Sequence, residues 1–199
     1  MEHRILGKLQ HFNVPTPVES KLGETVVEVK GNLATLFEYK EGRNLVLQRP
    51  SQYYDYGQRI GCLSEELSRI EEEGEYLPYY EWDQSYRNHG AWEFCGNVSE
   101  GFKDVERELE IIRGVLEQLS VMKEAFRKLP HQLIHGDVNC SNLLMDEKGK
   151  ITTILDFEFV TYDLRVMEVA ICLSELLHEV EADVTQMSDG LMSFCQGYR

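Results

Sequence analysis

Three features of the 199-residue chain predict an α+β fold. Two strand-like runs near the N-terminus, 24–30 (ETVVEVK) and 33–39 (LATLFEY), flank Gly31-Asn32, residues that tolerate positive φ in a two-residue hairpin turn. Apolar residues at 3–4 spacing predict helices over 56–73, 100–129 and 164–180. Between the last two lies a strand–turn–strand pattern, Leu143–Met145 and Ile151–Leu155, joined by the tight turn Asp146-Glu-Lys-Gly149. The length allows one domain or two small lobes with a sizeable core.

In chain order, residues 2–12 put Ile5, Leu9 and Phe12 on one helical face, and Asn13-Val-Pro-Thr-Pro17 breaks that helix because proline fixes φ. The helix over 56–73 rests on Ile60, Leu63, Leu67 and Ile70, and its Glu71-Glu72-Glu73 tail reads as a solvated face. Residues 75–98 are irregular and rich in aromatic rings, able either to line a ligand pocket or to pack a loop. The stripe from Phe102 through Leu116 to Leu129, started by Ser99 and stopped by Pro130, predicts a long helix with a core face. The helix over 164–180 is apolar on most sides, which predicts burial.

Composition narrows the function classes. Apolar residues make up 42% and charged residues 28%, as expected for a globular protein. Lys plus Arg is 20 against 35 Asp plus Glu, a net charge of −15 without a local basic patch, which argues against nucleic acid and anionic membrane as partners. No apolar run approaches the ~20 residues of a membrane span. The five cysteines are widely spaced and include no C-x-x-C, a pattern of reduced thiols that predicts a cytoplasmic protein.

The chemistry concentrates in 135–158, which reads His135-Gly136-Asp137-Val-Asn-Cys-Ser-Asn142, a hairpin, then Asp156-Phe157-Glu158. Asp137 and Asn142 stand at the two ends of one short loop, and hairpin closure brings Asp156 back towards Asn142. An amide oxygen and a carboxylate suit a hard divalent cation such as Mg²⁺, which binds one or two carboxylates plus substrate phosphate oxygens. Asp137 is then left to take a proton from a hydroxyl. Those are the parts of a phosphoryl-transfer site. Each alone is weak, since Gly, Asp and Asn also favour turns. Together they are specific. Cys140, with no base or cation beside it in sequence, reads as packing rather than as a nucleophile.

The HGDVNCSN and DFE stretches resemble the aminoglycoside phosphotransferase / choline kinase / homoserine kinase superfamily, small-molecule kinases with a protein-kinase-like two-lobe fold. The resemblance covers most of the chain. It implies a partial N-lobe at 1–41, with a helix, two strands and a hinge at its end, and a helical C-lobe at 42–199 carrying the catalytic loop and the metal-binding hairpin. It implies ATP and Mg²⁺ as cofactors and a small hydroxyl-bearing substrate, cationic ones included. Asp137 is expected as catalytic base, and Asn142 and Asp156 as the metal ligands. The backbone of Glu38, Tyr39 and Lys40 is expected at the adenine edge, through the Glu38 carbonyl and the Lys40 N–H. Glu2 is expected as the partner of a phosphate-binding lysine, His135 as the residue holding the loop, and Asp163 as its buttress. Glu158 and the acids Glu75, Glu81, Asp83 and Glu93 are candidate acceptor contacts.

The same resemblance exposes departures. No glycine-rich phosphate loop and no strand-borne lysine precede residue 2, and the family's closing helices do not follow residue 199. The expectation is a kinase core lacking both ends. Two functions remain open at this point: an ATP-dependent phosphotransferase acting on a small metabolite, or a catalytically inert kinase fragment serving as a binding module. Metal-assisted hydrolysis is a more distant third.

Overall fold

A computed structural model describes residues 2–72, 78, 81, 106–178 and 184–199. The chain starts with α1 (Glu2–Leu6), followed by the hairpin strands β1 (Val27–Val29) and β2 (Asn32–Ala34) and the short β3 (Arg43–Asn44). Helix α2 (Pro50–Leu67) and helix α3 (Glu106–Phe126) come next. Strand β4 (His131–Ile134) leads through a 3₁₀ turn at Cys140–Asn142 into β5 (Leu143–Met145) and β6 (Ile151–Ile154). Strand β7 (Thr161–Leu164) feeds α4 (Arg165–His178), and α5 (Val184–Tyr198) ends the chain. The strands form three small antiparallel sheets: β1–β2, β3–β5–β6 and β4–β7.

Several elements differ from their sequence expectation for identifiable reasons. The first helix closes at Leu6 rather than running to 12, because the chain turns at Gly7; Leu9 and Phe12 are still buried. The hairpin turns at Lys30-Gly31, one residue early: both have positive φ, and Val29 pairs with Asn32. Helix α2 begins six residues before 56 because Pro50 opens it and the Gln52 side chain accepts the Gln48 and Arg49 N–H groups. It ends at Leu67, so Glu71 and Glu72 lie beyond it. Glu72 is not a solvated helix face, since it pairs with Arg4 and Lys8 across the start of the chain.

The long helix α3 is present, but the described part of its stripe is not core. Ile112, Met122 and Leu129 are exposed, and Leu109, Leu119 and Phe126 are half-buried. Lys123 in the helix and Arg127 just past its end grip Glu81 at 3.3 and 2.6 Å. Helix α4 ends at His178 and buries Cys172 and Leu176, whereas its Val166 and Leu177 are half exposed. The aromatic segment 75–98, apart from Pro78 and Glu81, lies outside the described residues, as do Phe102, Val105 and the side chain of Leu116.

The core is built on α2. Ile60, Leu63, Leu67 and Tyr56 are fully buried, against Leu143, Ile154 and Phe157 from the sheet side and Phe194 from α5. Helices α2 and α5 approach backbone to backbone: a Cβ on Gly57 would lie 2.0 Å from the Phe194 carbonyl oxygen, and one on Gly197 2.0 Å from that of Tyr54. Glycine is therefore required at that crossing, and the Tyr56 and Phe194 rings meet edge-on beside it at 5.0 Å. This α2 platform is what the functional loop rests on.

Candidate active site

Strand β4 delivers the chain into the 135–142 loop, and β5 and β6 return it to Asp156. The loop is built from local turn chemistry. The Asn139 side chain accepts the Ser141 and Asn142 N–H groups at 2.9 and 3.2 Å, which caps the 3₁₀ turn. Asn142 Nδ2 donates to the Asp137 carbonyl at 2.9 Å and to Asp137 Oδ2 at 3.0 Å, and Asn139 Nδ2 donates to Asp137 Oδ1 at 3.3 Å. The two ends of the motif are thus bonded directly, with the carboxylate of Asp137 oriented by two amides.

Two peptide bonds register this loop against Asp156. The Leu155 N–H donates to the Asn142 carbonyl at 2.8 Å, and the Leu155 carbonyl accepts from His135 Nε2 at 2.9 Å. The His135 tautomer follows, because its Nδ1 accepts the Asp137 N–H at 3.3 Å, leaving the proton on Nε2. The ring is wholly buried against Phe157, 4.3 Å between centroids. Burial pushes its pKa down to about 4, so it is neutral at physiological pH. Asp156 follows with φ +62°, a left-handed conformation rare for a residue with a side chain. Its side chain is exposed.

Asp156 lies on the wall of an open cavity of about 380 Å³. Leu155 and Phe157 flank it, Glu2, Leu6 and Pro15 form a second side, and the run Phe37–Lys40 forms the third. The predicted residues Glu2, Glu38, Tyr39, Lys40 and Asp156 therefore share one cavity. Asp137 and Asn142 do not line it; they join it through Leu155. Glu2 is half-buried, and burial holds its carboxyl above the usual range, opposed by His3 and reinforced by Asp156 and Glu158. Glu158 itself is exposed. Glu81 is committed to Arg127 and Lys123; burial opposes its charge, but their hydrogen bonds hold its carboxyl below the usual range. Glu75, Asp83 and Glu93 are outside the described residues.

Asp163 is buried on β7 opposite Gln132, and its Oδ1 accepts the Leu164 N–H at 2.5 Å. Sequence reasoning missed a second buried acid. Glu168 on α4 accepts the His135 N–H at 2.6 Å and also the Gly136 N–H. The available signal was an isolated acid in the apolar run Val166-Met-Glu-Val-Ala-Ile-Cys172.

The oxygen donors of Asn142 and Asp156 fit a hard divalent cation by their chemistry. Among the described residues, no group of three or more His, Cys, Asp or Glu side chains forms a metal cluster by itself. A cation held here would complete its shell with other oxygens, as magnesium sites on phosphate substrates do. No described helix is long and apolar enough to cross a membrane.

The strand–loop–hairpin thus couples an aspartate, an asparagine and an aspartate of positive φ beside an open cleft. The profile of the Phosphotransferase enzyme family matches residues 1–198, and the chain belongs to that family. It is 25% identical over 190 residues to a homoserine kinase of Polaromonas naphthalenivorans (strain CJ2), covering 94% of this chain and 57% of that protein. Its fold matches an amicoumacin kinase solved with AMP-PNP and Ca²⁺, with TM-score 0.72, 17% identity, 99% of this chain and 60% of that one. It also matches a microcompartment-associated aminopropanol kinase, with TM-score 0.64, 17% identity, 99% of this chain and 62% of that one. The fold is thus α+β and protein-kinase-like, with small sheets. The chain spans about six-tenths of the length of these relatives.

Proposed function

We propose that the chain carries the core of an ATP-dependent phosphotransferase that acts on a hydroxyl group of a small metabolite. The observation that carries this reading is Leu155: its N–H and its carbonyl are both bonded to the 135–142 loop, so Asp137, Asn142 and Asp156 are held in one register beside the cavity. In this reading residues 1–41 and 42–199 act as the two lobes on either side of the cleft. The backbone at Glu38–Lys40 pairs with the adenine edge. Asn142 and Asp156 would hold Mg²⁺, which neutralises phosphate charge when bound. Asp137 accepts the proton of the acceptor hydroxyl as its oxygen bonds to the γ-phosphorus and the bond to the β–γ bridging oxygen breaks. The two amides on its carboxylate fix the direction in which it receives that proton. The homoserine kinase and aminopropanol kinase relatives make small amino alcohols the first acceptors to try.

The alternative is an inert nucleotide-binding module, which would bind nucleotide without transferring phosphate. Calorimetric titration with Mg·ATP, beside an Asp156→Ala control, separates the cases. Saturable binding lost in the control, with phosphate transferred to an acceptor panel, supports the transferase. Binding without transfer supports the module, and a folded chain that binds no nucleotide overturns both.

A further inference from the structure

One side-chain hydrogen bond joins the strand that leaves the cavity wall to the 135–142 loop, across 97 residues of sequence. Asn44 Nδ2 donates to the Ser141 carbonyl at 2.7 Å. Asn44 closes β3, a short way past the wall-lining run Phe37–Lys40. Gly42 lets this strand lie close on β5, since a Cβ there would come 2.7 Å from the Leu144 Cβ. Strand geometry then alternates the side chains. Asn44 stands opposite Leu144, and the next residue, Leu45, turns into the core while its N–H donates to the Leu143 carbonyl at 2.9 Å. Asn44 is thereby left exposed, outside the core and beside the 3₁₀ turn.

The bond falls on the peptide group that carries Asn142. The carbonyl of that peptide takes Asn44, and its N–H goes to Asn139 Oδ1 at 3.2 Å and to the Asn139 carbonyl at 3.1 Å. The Asn142 side chain commits Nδ2 to Asp137, so Oδ1 is the atom it has left to offer a cation. The orientation of this peptide sets where Oδ1 points. Asn139 restrains it from within the loop, and Asn44 restrains it from the strand that continues the cavity wall. Water readily replaces an exposed hydrogen bond, so the contact contributes little to stability. What it adds is direction, and a metal ligand needs its donor atom placed within about 0.5 Å. We infer that Asn44 is a positioning residue of the metal site: it sets the Ser141–Asn142 peptide, and with it Asn142 Oδ1. The metal in this inference rests on the phosphotransferase reading; the hold on the peptide rests on the geometry alone.

Asn44→Leu keeps the bulk of the side chain and Asn44→Ala does not; both delete the donor, and neither touches the core. Backbone amide exchange is read by NMR at Asn142, for the hold on the peptide, and at Leu45, for the pairing of β3 with β5. ATP is titrated by calorimetry twice, with a chelator and with excess Mg²⁺. The equilibrium between Mg²⁺ and free ATP is common to all the proteins and cancels when they are compared. In both variants Asn142 protection is expected to fall about fivefold while Leu45 holds. The melting midpoint stays within about 2 °C of wild type. Affinity for ATP without metal stays within about twofold, and affinity with Mg²⁺ falls about tenfold below wild type. Unchanged Asn142 protection overturns the inference, and so does an ATP affinity that keeps the wild-type gain from Mg²⁺. Leu45 exchange that rises together with Asn142 exchange also overturns it, because Asn44 would then only fasten the strand. A wild type whose ATP affinity gains nothing from Mg²⁺ overturns the phosphotransferase reading and the inference with it, whereas a gain shared equally by wild type and variants overturns the inference alone.

Discussion

The two sides of the cleft are built to different standards. On the loop side, His135, Val138, Leu143, Ile154 and Phe157 are at most 1% exposed, and His135, Asp137, Asn139 and Asn142 are tied to one another or to Leu155 by hydrogen bonds. On the hairpin side, Leu22, Leu33, Leu36 and Tyr39 are 85, 79, 67 and 86% exposed. That side is joined by few bonds, such as Val18 N–H to the Leu36 carbonyl and Glu38 N–H to the Thr16 carbonyl. A two-stranded hairpin is marginal by itself. The difference follows from the work each side would do. Proton and phosphate positioning needs side chains held to a fraction of an ångström, whereas an adenine edge met by backbone needs only an extended strand.

The comparison is broken most severely at Asp137. Asp137→Asn keeps the shape of the loop and removes the proposed proton acceptor. Transfer is expected to fall about 10²–10⁴-fold. Nucleotide affinity, read by calorimetry, changes little because Asp137 does not line the cavity. Equal losses in rate and affinity would place Asp137 in nucleotide binding instead. Next in size is Ile154→Ala, which empties a fully buried site between the loop and α2, at a cost of about 2–5 kcal/mol in urea unfolding. A loss under about 1 kcal/mol would mean that the loop side is no better packed than the hairpin.

The split between what the sequence revealed and what it concealed follows the same line. The 135–158 segment was readable because its signals are local: fixed motif spacing, the Asp146–Gly149 turn, and the β-branched run Ile151–Ile154 of β6. Element α5 went unread because Gly190, Gly197 and the Ser-Asp pair before Gly190 weaken its helix signal; its glycines make sense only against α2. Strand β7 is legible only through its pairing with β4. The apolar stripe of α3 was read correctly as a pattern and wrongly as core, since periodicity reports a face and not what covers it. Glu168 illustrates the reverse case. It accepts two backbone amides more than thirty residues earlier, a contact that no local pattern encodes.

Acid titration sharpens the picture of the loop side. His135 titrates at about 4 in the fold against an ordinary 6.5, so the unfolded chain takes the proton first, and stability is lost as pH falls from 6.5 to 4. Glu168 titrates at about 7 against an ordinary 4.5, so the folded chain takes the proton first, and stability is gained as pH falls from 7 to 4.5. Each swing is about 3 kcal/mol, and they oppose one another. Urea midpoints across this range should therefore show a Glu168→Gln protein that gains on wild type as pH rises, by up to about 3 kcal/mol. Parallel curves for the two proteins would mean that Glu168 is hydrated or paired in solution.

The smallest effect is expected on the hairpin side. Leu33 projects from β2 opposite Glu28 and is 79% exposed, so Leu33→Ser removes almost no buried apolar area. Its stability cost should stay within about 0.5 kcal/mol. Leu36→Ser, at 67% exposure, should behave alike, and the double variant should be additive because neither side chain has a core to share. Sedimentation of the wild type and the double variant completes the test, because exposed apolar side chains on an open strand edge favour pairing between chains. A cost above about 1 kcal/mol, or a loss of association in the double variant, would show that this face is covered in solution. The contrast between the two sides of the cleft would then be one between a core closed within the chain and a core closed by a partner.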